Sequence, residues 1–431
     1  MNVNQSDKSP VCIGLLGLGN VGTGFVESIR ANNDLSEKLI IKKILVKDLT
    51  KSRSLAMPDG ILTSNISDII EDSDIDIVVE VLGGEFPAAE YIEQAFMSGK
   101  HVVTANKEAV AKHGAELART SHEHNRQFMF EASVGGGVPV INTLIRDLAA
   151  NQIASIKAII NGTTNYILTQ MTDYGSGFSD ALTQAQQLGY AEPDPANDIE
   201  GIDSTYKIAI MASLAFSGSI LVDSIYREGI TKLDARDFRY ARELGYSIKL
   251  LAIARRITGE VEIRVHPTLI PEAHPLAKVD GVFNAVYIEG DLVGPLLLQG
   301  RGAGPEPTSS ALLSDVLAIA AATSADHGQL NPVLGQQPIA IRSIEQLLSG
   351  YYLRMQVLDE PGVLHQIASV FANLDISIAS VIQKESDEII GTAEIVVTTH
   401  ESLEADIQVA LRALIQQDCV NDIGACIRID L

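Results

Sequence analysis

Short apolar runs alternate with stretches of helical spacing through the first part of the chain. Val11 to Gly17 is an apolar run that enters a glycine-rich turn, and Val21 to Arg30 follows with apolar residues on one helical face. Leu39 to Val46, Ile75 to Val81, Lys100 to Thr104 and Phe128 to Glu131 read as further strands, while Pro87 to Met97 and Lys107 to His124 read as helices. Strands alternating with helices predict parallel βαβ units in a doubly wound sheet. Past Pro139 the pattern changes. Val140 to Ala150 looks helical, Ile153 to Ile160 strand-like and Asn161 to Asn165 a turn. Helices are expected over Tyr166 to Tyr174, Phe178 to Gly189 and Ser204 to Ser217, and strands over Val261 to Pro267, Asn284 to Glu289 and Leu292 to Leu298. Thr308 to Ala325 is one long apolar helix, followed by a Pro/Gly/Gln-rich stretch, His327 to Pro338. The remaining pattern, from Tyr351 to Asp430, is βαββαβ, a ferredoxin-like order.

With 431 residues, 46% of them hydrophobic, the chain can bury two or three cores. Its 55 acidic against 32 basic residues give a formal net charge of -23. Such a field repels nucleic acid and anionic membranes, so neither is an expected partner. The three cysteines, Cys12, Cys419 and Cys426, show no metal spacing. They suit a reducing cytoplasm, with Cys12 in a buried strand. The polar first ten residues read as frayed and lack the apolar run of a signal peptide.

The turn Gly17-Leu18-Gly19-Asn20-Val21-Gly22 follows a strand and opens a helix, the context that makes a GxGxxG informative. Gly17 permits the tight turn, Gly19 leaves room for a pyrophosphate and Gly22 lets helix and sheet approach. The helix start offers N–H groups to the anion. A Rossmann-type dinucleotide-binding domain is therefore expected at residues 1–139, the Thr308 helix returning to it. The overall class is α/β, with an α+β substrate and dimerisation domain at 140–307, the returning helix and a linker at 308–349 and a third unit at 350–431. Where the second strand ends, Lys47 and Arg53 can neutralise a 2′-phosphate, while Asp48 can serve an NAD ribose. The balance favours NADP, with NAD as the alternative.

Several short segments carry polar and charged residues that a core does not need. Thr104-Ala-Asn-Lys107 ends a strand on the side where open α/β sheets bind ligands, which places Thr104 and Lys107 toward the nicotinamide end. Asp203 and Lys207 are four apart on a predicted helix and share a face. An exposed ion pair is the simpler reading, but the apolar run after Lys207 implies burial. Desolvation lowers a lysine pKa and a nearby carboxylate raises it, which together poise it for proton transfer.

Taken together, VVEVLGG, VVTANK, NGTTNYIL, LGYAEPDP, the DIEGID…K run and GRGAGPEPT resemble the homoserine dehydrogenase family from Gly17 to Thr308. The resemblance implies reversible oxidation of L-homoserine to L-aspartate 4-semialdehyde, running physiologically as reduction toward threonine and methionine. It implies Lys207 as the catalytic lysine, Asp203 as its carboxylate and Lys107 as a second lysine at the reacting carbonyl. Glu192 would bind the substrate amino group with Asp198 nearby, and Tyr190 and Thr163 would line the pocket. Gly189 and Gly304 join the cofactor set. Glu131 with the Val134, Gly136 and Val138 carbonyls resembles the family's monovalent-cation loop; residue chemistry alone reads it as a glycine-rich connector. The oxygen donors suit structural sodium or potassium. A homodimer or homotetramer follows from the same resemblance.

Val357 to Leu364 and Asn373 to Ile378 resemble an ACT domain, which binds amino acids between paired copies. Asp359, Gly362 and Asn373 are the candidate effector residues, with L-threonine the favoured effector and ligand-free dimerisation the alternative. Aspartate-semialdehyde dehydrogenase is excluded, because its nucleophilic cysteine has no counterpart between Cys12 and Cys419. A sensor with a dead site is disfavoured by the intact Lys107, Glu192, Asp203 and Lys207. His266 and His274 read as structural in a loop-rich stretch, and Asp72, Asp74 and Asp76 as a solvated turn.

The cofactor reading has a direct check. The Michaelis constant should be lower for NADP than for NAD, and Lys47→Ala should narrow that gap; a strong NAD preference removes Lys47 from its role.

Overall fold

The computed structural model describes residues 9–324, 334, 335, 337–387 and 391–430. Most of the polar N-terminal stretch, Ala325 and most of His327–Pro338 lie outside them. The chain forms two compact units. One comprises Met1–Ile153, Tyr206–Val222 and Glu289–Ile339; the other comprises Ala154–Thr205, Asp223–Ile288 and Ala340–Leu431.

In the first unit, six parallel strands lie in the order β3-β2-β1-β4-β5-β6. They are β1 (Val11–Leu16), β2 (Leu39–Leu45), β3 (Leu62–Thr63), β4 (Ile77–Glu80), β5 (His101–Thr104) and β6 (Phe128–Met129). This is the doubly wound sheet that the alternating pattern predicts. The strand order reverses between β1 and β4, and ligands of such sheets bind beyond the strand carboxyl ends at that point. The core joins Ile13, Leu15, Phe25, Ile77 and Val79 to Leu312, Val316 and Ile319 of the Pro305–Ser324 helix.

Some local expectations fail for identifiable reasons. The strand at Phe128 stops at Met129, and Glu131–Ser133 is a 3-10 turn, because the Glu131 carboxylate is drawn onto the backbone N–H groups of Ile141 and Asn142 at 2.9 and 2.7 Å. Val140–Ala150 is not one helix: Val140–Asn142 is α-helical and Thr143–Asp147 π-helical, closed by Leu148 N–H to the Thr143 carbonyl at 2.9 Å. Cys12 is only half-buried in its strand. Short elements at Asn33–Lys38 and Ser67–Ile70 carry too little apolar pattern to be read in advance.

The second unit is built on a sheet whose strands are β7 (Ile153–Ile159), β8 (Tyr226–Arg227), β9 (Tyr246–Ile257), β10 (Glu260–Pro271) and β11 (Phe283–Gly290). Strand β12 (Gly294–Arg301) belongs to the first unit. The C-terminal segment adds β13 (Leu348–Leu358), β14 (Ile378–Asp387), β15 (Thr392–Thr399), β16 (Ser402–Leu403) and β17 (Val420–Ile429). Helices Val363–Ala372 and Glu404–Leu414 complete its βαββαβ order around a core of Leu353, Met355, Ile367, Phe371, Val397 and Ile407. Within the unit the strands run β11-β7-β9-β10-β17-β13-β15-β14, so the C-terminal sheet continues the other one.

The join is made along one edge of β10. Ile341 bridges to Val261, β8 pairs with Arg264 and Val265, and β17 pairs in parallel with Thr268 and Leu269. Buried charges reinforce it. Asp237 accepts from Arg354 Nε at 2.6 Å and from the Tyr352 hydroxyl at 3.1 Å. Arg428 reaches Glu404 at 2.7 Å and Glu228 at 2.9 Å. His266 is buried in the middle of β10 rather than in a loop, and burial pushes its pKa down. His274 caps Pro275–Lys278, its Nδ1 accepting from Leu276 N–H at 3.1 Å. Among the described residues no helix is long and apolar enough to cross a membrane.

His101 opens β5 with Nδ1 accepting the Gln127 N–H at 2.9 Å, and burial pushes its pKa down to about 4. The unfolded imidazole takes its proton near 6.5. This group's contribution is therefore full above pH 6.5 and falls as pH drops from 6.5 to 4, by up to roughly 3 kcal/mol. Denaturant titrations should show that His101→Gln loses that part of the acid sensitivity.

Candidate functional site

The glycine-rich turn leaves β1 with Gly17 at φ 108°. A Cβ there would lie 3.0 Å from the Val81 carbonyl oxygen, and one on Gly22 would collide with the Gly17 carbonyl. The Asn20–Ala31 helix, with Asn20 and Val21 in its first turn, can start only because these backbones approach so closely. Gly19 differs: a Cβ there meets nothing within 4 Å. The space above the helix start is thus open to a phosphate group, and the residues fit a dinucleotide. Gly304, at φ 116°, opens the Pro305–Ser324 helix, whose Pro305 Cβ lies 2.9 Å from where a Gly24 Cβ would stand. Lys47 is exposed at the end of β2. Arg53 donates to the Lys51 carbonyl at 2.9 Å and the Asp48 carbonyl at 2.5 Å, and the Asp48 carboxylate accepts from Thr50.

At the end of β4, the fully buried Glu80 organises the next segment. Its carboxylate accepts from the Leu82 N–H at 2.7 Å, from the Thr104 hydroxyl and from Asn106 Nδ2 at 3.5 Å. Burial pushes its pKa up, and these bonds oppose that shift. Asn106 Nδ2 also reaches the Gly84 carbonyl at 2.7 Å, while its Oδ1 caps the Lys107–Glu123 helix by accepting the Ala109 N–H at 3.0 Å. Lys107 therefore leaves the first position of a capped helix.

The Ile202–Phe216 helix carries Asp203 in its first turn and Lys207 one turn later; they are 3% and 9% exposed, so the lysine is largely desolvated. Tyr206 donates its hydroxyl to Glu108 Oε1 at 3.2 Å, and Lys112 Nζ stands 5.6 Å from the Tyr206 ring. The helix that begins at Lys107 and the one that carries Lys207 thus meet within the first unit.

In the second unit Asn161 gathers two acids. Its Nδ2 donates to Asp198 at 2.6 Å and Asp203 at 3.0 Å, and its Oδ1 accepts the Thr164 N–H at 2.9 Å. That cap starts a helix at Gly162, so Asn161–Asn165 is a helix entrance rather than a turn. Thr163 donates its hydroxyl to the Tyr190 carbonyl at 2.7 Å, and the Tyr166 and Tyr190 rings lie 5.1 Å apart. Gly189, at φ 76°, terminates the preceding helix. Glu192 is exposed and its carboxylate stands outside this hydrogen-bonded set. Glu80, Asn106 and Asn161 lie in segments whose polar residues a core does not need, but the sequence expectations give them no role, and Tyr206 is absent from those expectations; for the asparagines, an Asn three residues before a helical N–H is the available signal.

The loop after Glu131 is an oxygen-rich turn. Gly136 has φ 52°, and a Cβ there would collide with the Gly302 carbonyl. The Val138 carbonyl accepts the Val140 N–H at 2.8 Å. Asp315 lies fully buried beside it; Oδ2 accepts the Glu131 N–H at 2.9 Å and Oδ1 has no partner among the described residues. Burial pushes the Asp315 carboxyl up to about 7. Two buried carboxyls beside backbone carbonyls are a hard-oxygen set, the donor chemistry that fits sodium or potassium.

Of the effector candidates, Asp359 and Gly362 share one turn: Asp359 N–H donates to the Gly391 carbonyl at 2.9 Å, and Gly362 starts the Val363–Ala372 helix at φ 96°. Asn373 caps the far end of that helix, about 15 Å away by helical rise, so one protomer cannot bring it to a ligand held at Asp359.

Fold and site together define a nicotinamide-dependent oxidoreductase that carries a C-terminal ACT domain. Residues 17–131 match the homoserine dehydrogenase NAD-binding domain, 139–317 homoserine dehydrogenase and 351–418 the ACT domain. A homoserine dehydrogenase of Neisseria gonorrhoeae is 44% identical over 430 residues, covering 98% of this chain and 99% of its own. The crystal structure of a homoserine dehydrogenase from Thiobacillus denitrificans superposes with a TM-score of 0.90 at 42% identity over 98% of both chains. A hyperthermophilic archaeal homoserine dehydrogenase in complex with NADPH gives a TM-score of 0.62 at 27% identity, over 72% of this chain and 98% of its own. The chain belongs to the homoserine dehydrogenase family.

The two glycines separate folding from binding. Gly22→Ala should lower the thermal midpoint, whereas Gly19→Val should leave it unchanged and raise the cofactor KM about tenfold or more. An unchanged cofactor KM in Gly19→Val would place the pyrophosphate elsewhere.

Proposed function

We propose that the protein reduces L-aspartate 4-semialdehyde to L-homoserine at the expense of NADPH, in the branch toward threonine and methionine. The observation that carries this reading is the meeting of the two lysine-bearing helices through Glu108 and Tyr206, in the unit that also holds the open glycine-rich turn. NADPH supplies the hydride that reaches the substrate's carbonyl carbon when bound. Lys107 polarises the carbonyl oxygen and stabilises the negative charge that grows on it. Lys207 delivers the proton that converts this oxygen to the alcohol, and regains it from solvent. Asp203, one helical turn before Lys207, is the carboxylate that accompanies it. Asp198 and Glu192 receive the substrate ammonium, with Thr163 and Tyr190 beside them. Atoms balance as aldehyde plus NADPH plus one proton giving alcohol plus NADP.

Lys47 and Arg53 favour NADP over NAD, and the archaeal NADPH complex is consistent with that choice. Thr104, Gly189 and Gly304 complete the cofactor set. Glu131 with the Val134, Gly136 and Val138 carbonyls holds a structural sodium or potassium ion; the buried acid pair supports this. Asp359 and Gly362 bind L-threonine as a feedback inhibitor between paired copies, Asn373 coming from the opposite copy of a homodimer or homotetramer. The cysteine usage supports a cytoplasmic location. The domain limits read from the sequence, 1–139, 140–307, 308–349 and 350–431, are retained as functional segments.

Loss of NADPH absorbance on adding L-aspartate 4-semialdehyde tests the reaction. Lys207→Ala should cut turnover by orders of magnitude with cofactor binding intact, and full activity in that variant removes Lys207 from its role. In the same assay L-threonine should inhibit the intact enzyme, and Asp359→Ala should relieve the inhibition.

A further inference from the structure

Glu108 follows Lys107 in the chain, and Tyr206 precedes Lys207. The 3.2 Å hydrogen bond between them therefore joins the immediate neighbours of the two lysines. Glu108 is itself held. The oxygen that accepts from Tyr206 also accepts from Lys112 Nζ at 2.8 Å, and Lys112 extends to Glu85 Oε2 at 2.7 Å. The other Glu85 oxygen meets His113 Nε2 at 2.8 Å. Glu85 directly follows the Gly83–Gly84 turn beyond β4. One polar chain thus ties the β4 loop, the Lys107 helix and the Lys207 helix.

We infer that Tyr206 is a positioning residue for hydride transfer: through Glu108 it sets the direction in which Lys207 leaves its helix relative to Lys107. Consecutive helical residues point about 100° apart around the axis. Pinning the Tyr206 phenol therefore pins the rotation of that turn, and with it Lys207. The buried Ile208 to Ala212 stretch anchors the helix by apolar contacts, to which the Tyr206 hydrogen bond adds a directional restraint. A rotation of roughly 15° would swing a lysine ammonium by about 2 Å, and a misplacement of about 1 Å can cost a hundredfold in rate. Half-buried Tyr206 is a weak source of stability but an effective stop against rotation.

The inference rests on the assignment of Lys107 and Lys207 above, so Lys207→Ala is assayed beside the test variants. Tyr206→Phe keeps the ring and removes the hydroxyl; Glu108→Gln keeps an acceptor oxygen and weakens it. Tyr206→Phe should lower kcat about tenfold or more, with cofactor KM and thermal midpoint unchanged and a larger isotope effect with 4-deuterated NADPH. Glu108→Gln should lower kcat in the same direction, and the double variant should lose no more than the worse single one. Unchanged kcat in Tyr206→Phe, losses that multiply in the double variant, or a kcat loss tracking a lower thermal midpoint each overturn the inference. Turnover retained in Lys207→Ala overturns the lysine assignment instead; turnover lost there but kept in Tyr206→Phe overturns the positioning role alone.

Discussion

The first unit depends on a carboxylate kept out of water. Glu80 is fully buried at the carboxyl end of β4, where an uncompensated charge would cost several kcal/mol. Its compensation comes from the Leu82 N–H, the Thr104 hydroxyl and Asn106, groups at the end of β5 and on the loops leaving β4 and β5. Satisfying the charge therefore requires both loops to close, and their closure defines where the next helix begins. Asn106 completes the linkage, because the same amide that turns toward Glu80 and Gly84 caps the helix of Lys107. The position of Lys107 is in this way a by-product of solvating a buried acid with protein groups.

The second unit uses the same device with an amide at the centre. Asn161 holds Asp198 and Asp203 with one end of its side chain and caps a helix with the other. Neither end can move without breaking a bond at the opposite one. The two acids are thereby kept at a fixed separation.

How much of this was legible in the chain follows from range. The parallel sheet was readable because buried strands are short apolar runs bounded by glycine and polar turns, and those signals are local. The glycine roles were readable because each depends on its own φ or on a neighbour a few residues away. Strand β9 was not readable: Lys249, Arg255 and Arg256 interrupt its apolar pattern, and only the Val279 carbonyl and Asp280, at 2.7 and 2.9 Å from Lys249, explain a lysine there. The turn assigned to Asn161–Asn165 had turn chemistry, but Asn161 used it to cap a helix. Tyr206 carried no local signal at all, since its partner lies 98 positions away.

The tiled edge of β10 gives the C-terminal segment a role that needs no bound ligand. Ile341, β8 and β17 each cover part of one strand margin. A chain ending before β13 would present bare amide and carbonyl groups at Thr268 and Leu269, with Asp237 stripped of Arg354 and Tyr352. Open strand margins recruit other chains. Loss of this segment should then show first as precipitation. Selection for solubility alone would suffice to retain it.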